Sequence, residues 1–150
     1  MMNGKKTKIM GIFSSSKKEE INQPVDMSPV EAVTHLFAAI QIADQQASYE
    51  EKESWTNAIS KLFPENSSER SEKYYSQAHK ALSLQNNEQR LAYIQSTLER
   101  IKALLSADQI DSIGPMIADI VEADGIVMTS EMDIVSLAEK TLDIKIEIEE

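Results

Sequence analysis

An all-helical fold, a single bundle of six to seven helices with an internal pseudo-twofold repeat of helical hairpins, is predicted by three observations. Seven Met against only four Gly and four Pro, with many Ala, Leu and Glu, make a composition suited to helices rather than strands. The apolar residues recur at spacings of three and four, the period of a helix with one buried face. Residues 37–62 align with residues 117–142 at an offset of 80, and seven of the 26 positions are identical: Ala38/Ala118, Ile40/Ile120, Ala43/Ala123, Asp44/Asp124, Glu51/Glu131, Ala58/Ala138 and Leu62/Leu142.

The first helix has a marked beginning. Ser28-Pro29-Val30-Glu31 offers a capping hydroxyl, a proline at the first helical position and a Glu that closes a capping box. Val33, Leu36, Phe37 and Ile40 then trace one apolar stripe that ends at Asp44. Ser48-Tyr49-Glu50-Glu51 is a second capping box, predicting a helix over 49–62 that carries Trp55, Ile59 and Leu62 and is stopped by Pro64. Residues 65–70 read as a polar linker, and Tyr74, Tyr75, Ala78, Ala81 and Leu82 mark a weaker third helix broken at Asn86-Asn87. Leu91, Ile94, Leu98, Ile101 and Leu105 make the helix over 88–105 the most regular of all, and it is the expected central helix of the core. The seam lasts only two heptads, which favours an intramolecular core over a coiled-coil partner.

Ser106 and Gln109 bracket the start of the next helix, whose Ile110, Ile113, Ile117, Ile120 and Val121 repeat the stripe of the first. Gly114-Pro115 inside it predicts a kink or a second start, because proline removes a backbone hydrogen bond and crowds the preceding turn. The last helix spans 130–142. Residues 144–148 alternate like a strand with no partner strand in the sequence, so their structure is left open. The two hairpins are therefore 28–63 and 107–142, joined by two inserted helices.

At 150 residues the chain suits one domain, able to bury about two thirds of its unfolded surface. The expected organisation is a disordered basic arm over 1–27, a helical domain over 28–143 and an acidic tail over 144–150. The net charge of −10 is uneven: residues 1–27 carry five Lys against three acids, leaving ten basic against 22 acidic residues, or −12, in the remainder. Such a surface is unsuited to nucleic acid, whose phosphates need clustered Lys and Arg, and suits cations or a basic protein partner. No cysteine is present, which removes disulfides, thiolate metal sites and thiol nucleophiles and fits a reducing compartment. No apolar run is long enough for a membrane span, and Ile9 to Phe13 is too short and too interrupted by Gly11 for a signal-peptide core. A cytoplasmic protein is expected; peripheral contact of the basic arm with an anionic membrane is opposed by the acidic body.

The acidic members of the repeat are the candidate functional residues. Asp44 and Asp124 fall at a helix end and Glu51 and Glu131 in the first turn of the following helix, so each pair flanks one interhelical turn. Four carboxylates around two turns form a candidate metal site for a divalent cation, since calcium and magnesium prefer carboxylate and carbonyl oxygens. The structural alternative is that Glu51 and Glu131 cap helices while the Asp side chains accept from turn amides. In the second repeat Met128 replaces Ser48 and cannot cap, leaving Thr129 or Ser130 for that role. A strict EF-hand is excluded, because Asp124 is followed by Ile126 and Met128 where oxygen ligands belong.

Ile40-Gln41-Ile42-Ala43-Asp44 through Glu51, and above all Val121-Glu122-Ala123-Asp124-Gly125-Ile126-Val127 through Glu131, resemble the TerB-like tellurite-resistance family. The resemblance covers roughly residues 28–143 and rests on an apolar helix ending in Ala-Asp-Gly, a short turn and an acidic helix start. It implies an all-helical, internally symmetric domain linked to chemical-stress responses, suspected of binding metal through acidic residues and without an established catalytic activity. Asp44, Glu51, Asp124 and Glu131 match the pattern, whereas Gln45 stands where the family favours glycine, making the second turn the better candidate.

Other chemistry finds little footing. His35 and His79 lie in no metal-ligand spacing, and His35, beside the stripe of the first helix, reads as a partly buried structural residue. Trp55 and Phe63 read as core. No nucleophile elbow, P-loop or dinucleotide fingerprint occurs, so no enzyme is expected. The expectation is a stress-associated TerB-like module that binds a divalent cation, with a non-catalytic protein-interaction module as the alternative.

Overall fold

The computed structural model describes residues 23–44, 49–122 and 129–148 and contains six α-helices. These are α1 (Pro29–Asp44), α2 (Tyr49–Leu62), α3 (Ser68–Ser83), α4 (Asn87–Leu104), α5 (Ala107–Glu122) and α6 (Thr129–Leu142), preceded by a 3-10 turn at Pro24–Asp26. Among the described residues there is no strand. The predicted all-α class holds, and four of the six helices, α1, α2, α4 and α6, start and end within a residue of their sequence-based bounds.

Local side-chain chemistry sets most of the starts. Ser28 and Glu31 form the reciprocal box, with the Ser28 amide donating to Glu31 Oε1 at 2.9 Å and the Glu31 amide to Ser28 Oγ at 3.3 Å. Ser106 and Gln109 repeat it at α5, at 3.0 and 3.2 Å. Asn86, read as a breaker, is itself the cap of α4: its Oδ1 accepts from the Gln89 amide at 2.8 Å while Gln89 Oε1 accepts from the Asn86 amide. Ser67 accepts from the Arg70 amide at 3.1 Å, so α3 begins inside the stretch expected to be linker. Each such cap contributes about 1 kcal/mol by satisfying an amide that the helix cannot. The box expected from Ser48 and Glu51 lies outside the described residues.

The centre of the bundle is α1, not α4. Eleven consecutive residues of α1, Glu31 to Gln41, are buried, and α1 packs against all five other helices. The physical reason is its lack of charge: no Asp, Glu, Lys or Arg stands between Glu31 and Asp44, so no face of the helix can be left to water. Each large side chain so buried, Leu36, Phe37 and Ile40 among them, contributes about 1.5–3 kcal/mol. The regular stripe of α4 covers one face only; Ile94, Leu98, Ile101 and Leu105 are buried whereas Leu91 is 37 % exposed.

The hairpins α1/α2 and α5/α6 cross-pack, α1 against α6 and α2 against α5. An exchange of the two hairpins would carry one of these contacts onto the other. Four of the repeated pairs, Ala38/Ala118, Ile40/Ile120, Ala58/Ala138 and Leu62/Leu142, are buried in both halves. Packing accounts for their identity without any functional demand.

The helical domain extends beyond residues 28–143 at both ends. Met27 is fully buried, and its carbonyl accepts from Arg100 Nε at 2.9 Å, fastening the 3-10 turn to α4. At the other end α6 closes with Asp143 in the left-handed region, φ 57°, and the Ile144 amide donating to the Glu139 carbonyl at 3.2 Å. That is the Schellman arrangement with Asp in the usual place of Gly. The chain then runs extended along α5, Ile146 is buried, and its amide donates to Glu139 Oε2 at 2.9 Å. Residues 144–148 are neither a free tail nor a strand, but a strap whose alternate isoleucines face the core.

Gly114 is required by this strap. A Cβ on it would stand 3.3 Å from the Lys145 carbonyl oxygen and 3.7 Å from side-chain carbons of Ile144 and Ile146. Helix α5 runs unbroken through Gly114-Pro115, so the expected second start is not found. Pro115 and Asp111 are both exposed, so the carbonyl that the proline leaves without an amide is on the solvent side. Gly114→Val is expected to lift the strap, destabilising the protein by about 1–3 kcal/mol and speeding hydrogen exchange of the Ile146 amide while α5 stays helical. An Ile146 amide as protected as in the parent protein would contradict this packing.

Candidate functional site

Helix α1 ends with carbonyls that have no intrahelical amide to accept from. One of them, that of Ala43, is met by the Ser130 hydroxyl of α6 at 2.9 Å. This bond joins the C-terminal end of α1 to the first turn of α6. Ser130, a candidate cap for its own helix, thus donates to the other hairpin.

Around this junction the predicted carboxylates divide. Asp44 is the last residue of α1, Glu51 the third of α2 and Glu131 the third of α6. The Ala43–Ser130 bond brings the chain at Asp44 next to the chain at Glu131. Glu131 is 1 % exposed, a position where the positive end of α6 favours its charge. The side chains of Asp44 and Glu51, and the whole of Asp124 with its turn, lie outside the described residues. Among the described residues no three His, Asp or Glu side chains gather as metal ligands.

Next to the junction lies a groove of about 170 Å³. Its floor is apolar, from Ile42 of α1, Leu82 of α3, Ile94 of α4 and Ile134 of α6, and its rim carries Asp133 and Arg90. Arg90 is held there by its Nε, which donates to the Leu82 carbonyl at 2.8 Å and so satisfies the end of α3. Leu91 on the rim and Leu84, 86 % exposed in the α3–α4 connection, leave apolar surface in water at this end of the molecule.

Besides Glu31 in its first turn, α1 carries Thr34, His35 and Gln41 of its charge-free stretch into the core. Tyrosines on neighbouring helices meet two of them. Tyr93 of α4 shares a 2.8 Å hydrogen bond with His35 Nδ1, and the Tyr75 hydroxyl of α3 donates to Gln41 Oε1. Tyr75 in turn stacks on Trp55 of α2, ring centroids 4.5 Å apart and planes 6° from parallel. Sequence reasoning placed Trp55 in the core and expected His35 only partly buried, where it is 1 % exposed, and it missed both tyrosine partners, which lie 58 and 34 residues away from the groups they serve. His35 Nε2 and Thr34 Oγ1 have no hydrogen-bond partner among the described residues.

Burial of His35 lowers its pKa to about 4, because a charged imidazolium would lose its hydration. Tyr93 is pushed up to about 12 by burial and then by the negative charge of Glu31, and so keeps its proton throughout the ordinary pH range. The consequence for stability has a definite sign. Below pH 6.5 the unfolded chain takes up a proton at His35 that the folded chain refuses until about pH 4, so stability is complete above this window and falls as pH falls through it. By pH 5 the loss is expected to be about 2 kcal/mol. Urea unfolding at pH 7 and pH 5, run on the parent protein and on His35→Leu, should show a larger drop in the parent; equal drops would mean that His35 is not held neutral.

No protein-family model matches this chain, and no curated protein and no solved structure matches it. Its functional reading therefore rests on its own residues and geometry.

Proposed function

We propose that this chain is a non-catalytic, TerB-like helical module of chemical-stress responses that binds a divalent cation at the junction of its two interhelical turns. The observation that carries the reading is the Ser130–Ala43 hydrogen bond, which draws the end of α1 and the start of α6 together and with them the chain at Asp44 and Glu131. Carboxylates converging there would repel one another unless a cation or a proton offset them. Asp44, Glu51, Asp124 and Glu131 are the proposed metal ligands, with turn carbonyls completing a shell of oxygen donors of the kind calcium and magnesium prefer. A body with a balance of −12 draws cations toward such a site. A cytoplasmic setting belongs to the same proposal; among the described residues no helix is long and apolar enough to cross a membrane.

A second reading, a protein-interaction module, is favoured by the exposed Leu84 and Leu91 beside the groove. Calorimetric titration separates the two. With calcium, magnesium, manganese and zinc in turn, the first reading expects saturable heat from at least one cation, lost or weakened tenfold or more (about 1.4 kcal/mol) in Asp44→Asn and in Asp124→Asn. No saturable heat with any of the four would remove the cation and leave the interaction module.

A further inference from the structure

The groove between α1, α3, α4 and α6 takes in Ala43 and Ser130 of the junction, and Asn87, Arg90 and Asp133 stand beside its apolar residues. Its floor is apolar, and the size of the opening is informative. An apolar cavity of roughly 150 Å³ is enough to take a benzene ring, so the groove's 170 Å³ has room for one phenyl side chain.

The chain itself carries a segment of matching chemistry. Ile9, Met10, Ile12 and Phe13 form a short apolar run, with Lys5, Lys6 and Lys8 before it and Lys17 and Lys18 after it. The groove's rim balances Asp133 with Arg90, but the body that presents it has ten basic against 22 acidic residues. A second copy of that acidic body would be repelled, whereas a basic, apolar segment is attracted on both counts.

Length permits the contact. The described chain starts at Gln23, beside the turn that Arg100 fastens to α4 through the Met27 carbonyl. From Arg100 back to Arg90 on the groove rim, α4 covers about 15 Å at roughly 1.5 Å per residue. The ten residue steps from Phe13 to Gln23 can span up to about 33 Å. We propose that this groove is the docking site of the chain's own segment Ile9–Phe13, with Phe13 in the apolar floor and the flanking lysines over the acidic body. Docking there covers Leu91 and occupies the surface that an outside partner would otherwise meet, so the segment competes with any such partner. The inference uses none of the four proposed ligands, although the groove shares Ala43 and Ser130 with the junction they flank.

The absence of cysteine gives a direct test, because a single introduced thiol is unique in the full chain. A nitroxide on Ser14→Cys is expected to remove most of the amide intensity of Leu91, Ile94 and Ile134 in the nuclear magnetic resonance spectrum. The loss should be unchanged on dilution and should disappear when Ile12→Asp and Phe13→Asp are added. Those two changes leave every residue of the described helices unaltered, so the body serves as its own control. Three outcomes overturn the proposal: no preferential loss at these amides, loss that survives Ile12→Asp and Phe13→Asp, or loss that appears in isotope-labelled, nitroxide-free protein mixed with unlabelled spin-labelled protein, which would place the segment in a second copy's groove.

Discussion

Helix α1 has no charged side chain for the twelve residues between Glu31 and Asp44, and the rest of the molecule is arranged around that fact. A helix that offers no face to water must be enclosed, and five helices enclose this one. Enclosure then imposes a second requirement, because Thr34, His35 and Gln41 travel into the core with their neighbours. An unbonded polar group buried there costs on the order of 1–3 kcal/mol. Tyr93 and Tyr75 reduce that cost from α4 and α3 and His35 stays neutral, while Thr34 Oγ1, His35 Nε2 and Gln41 Nε2 find no partner among the described residues. The tyrosines lie at partly buried positions of those helices because their hydroxyls have work to do inside.

The same enclosure changes the meaning of the internal repeat. Of its seven identical pairs, four are apolar pairs buried on both sides, and these mark where the two hairpins press into the common core. A duplicated hairpin would keep such residues for packing alone. The acidic pairs stand apart from that explanation, since burying a carboxylate such as that of Glu131 is costly without compensation. The positive end of α6 supplies such compensation for Glu131, the third residue of that helix.

Junctions between the ends of helices recur as the places where this fold is fastened. Ser130 closes the end of α1, Arg90 the end of α3, and Glu139 holds both the exit of α6 and the strap that follows. In each case a carbonyl or amide left over by one helix is met by a side chain from another element or by the strap. The opening with an apolar floor, the junction of the turns and the exposed leucines all fall at the end where α1 and α3 finish and α4 and α6 begin. That concentration is why one end of the bundle carries both the proposed cation site and the proposed docking groove.

Helix spans and caps could be read from residues alone because their causes are local: an apolar period of three to four, and side chains that bond amides three residues away, as at Ser28 and Ser106. Even Asn86 carried its signal in Gln89. The uncharged run of α1 was equally visible, yet the evenness of the α4 stripe drew attention to the wrong helix; regular amphipathicity marks a helix with a wet side, and only the count of helices around α1 shows which one has none. The hydroxyl of Ser130 on Ala43, 87 residues distant, and the approach of Lys145 to Gly114 have no periodic trace in the chain. Contacts of that kind arise when separate helices meet, so they belong to the assembled bundle and to no single stretch of its amino acids.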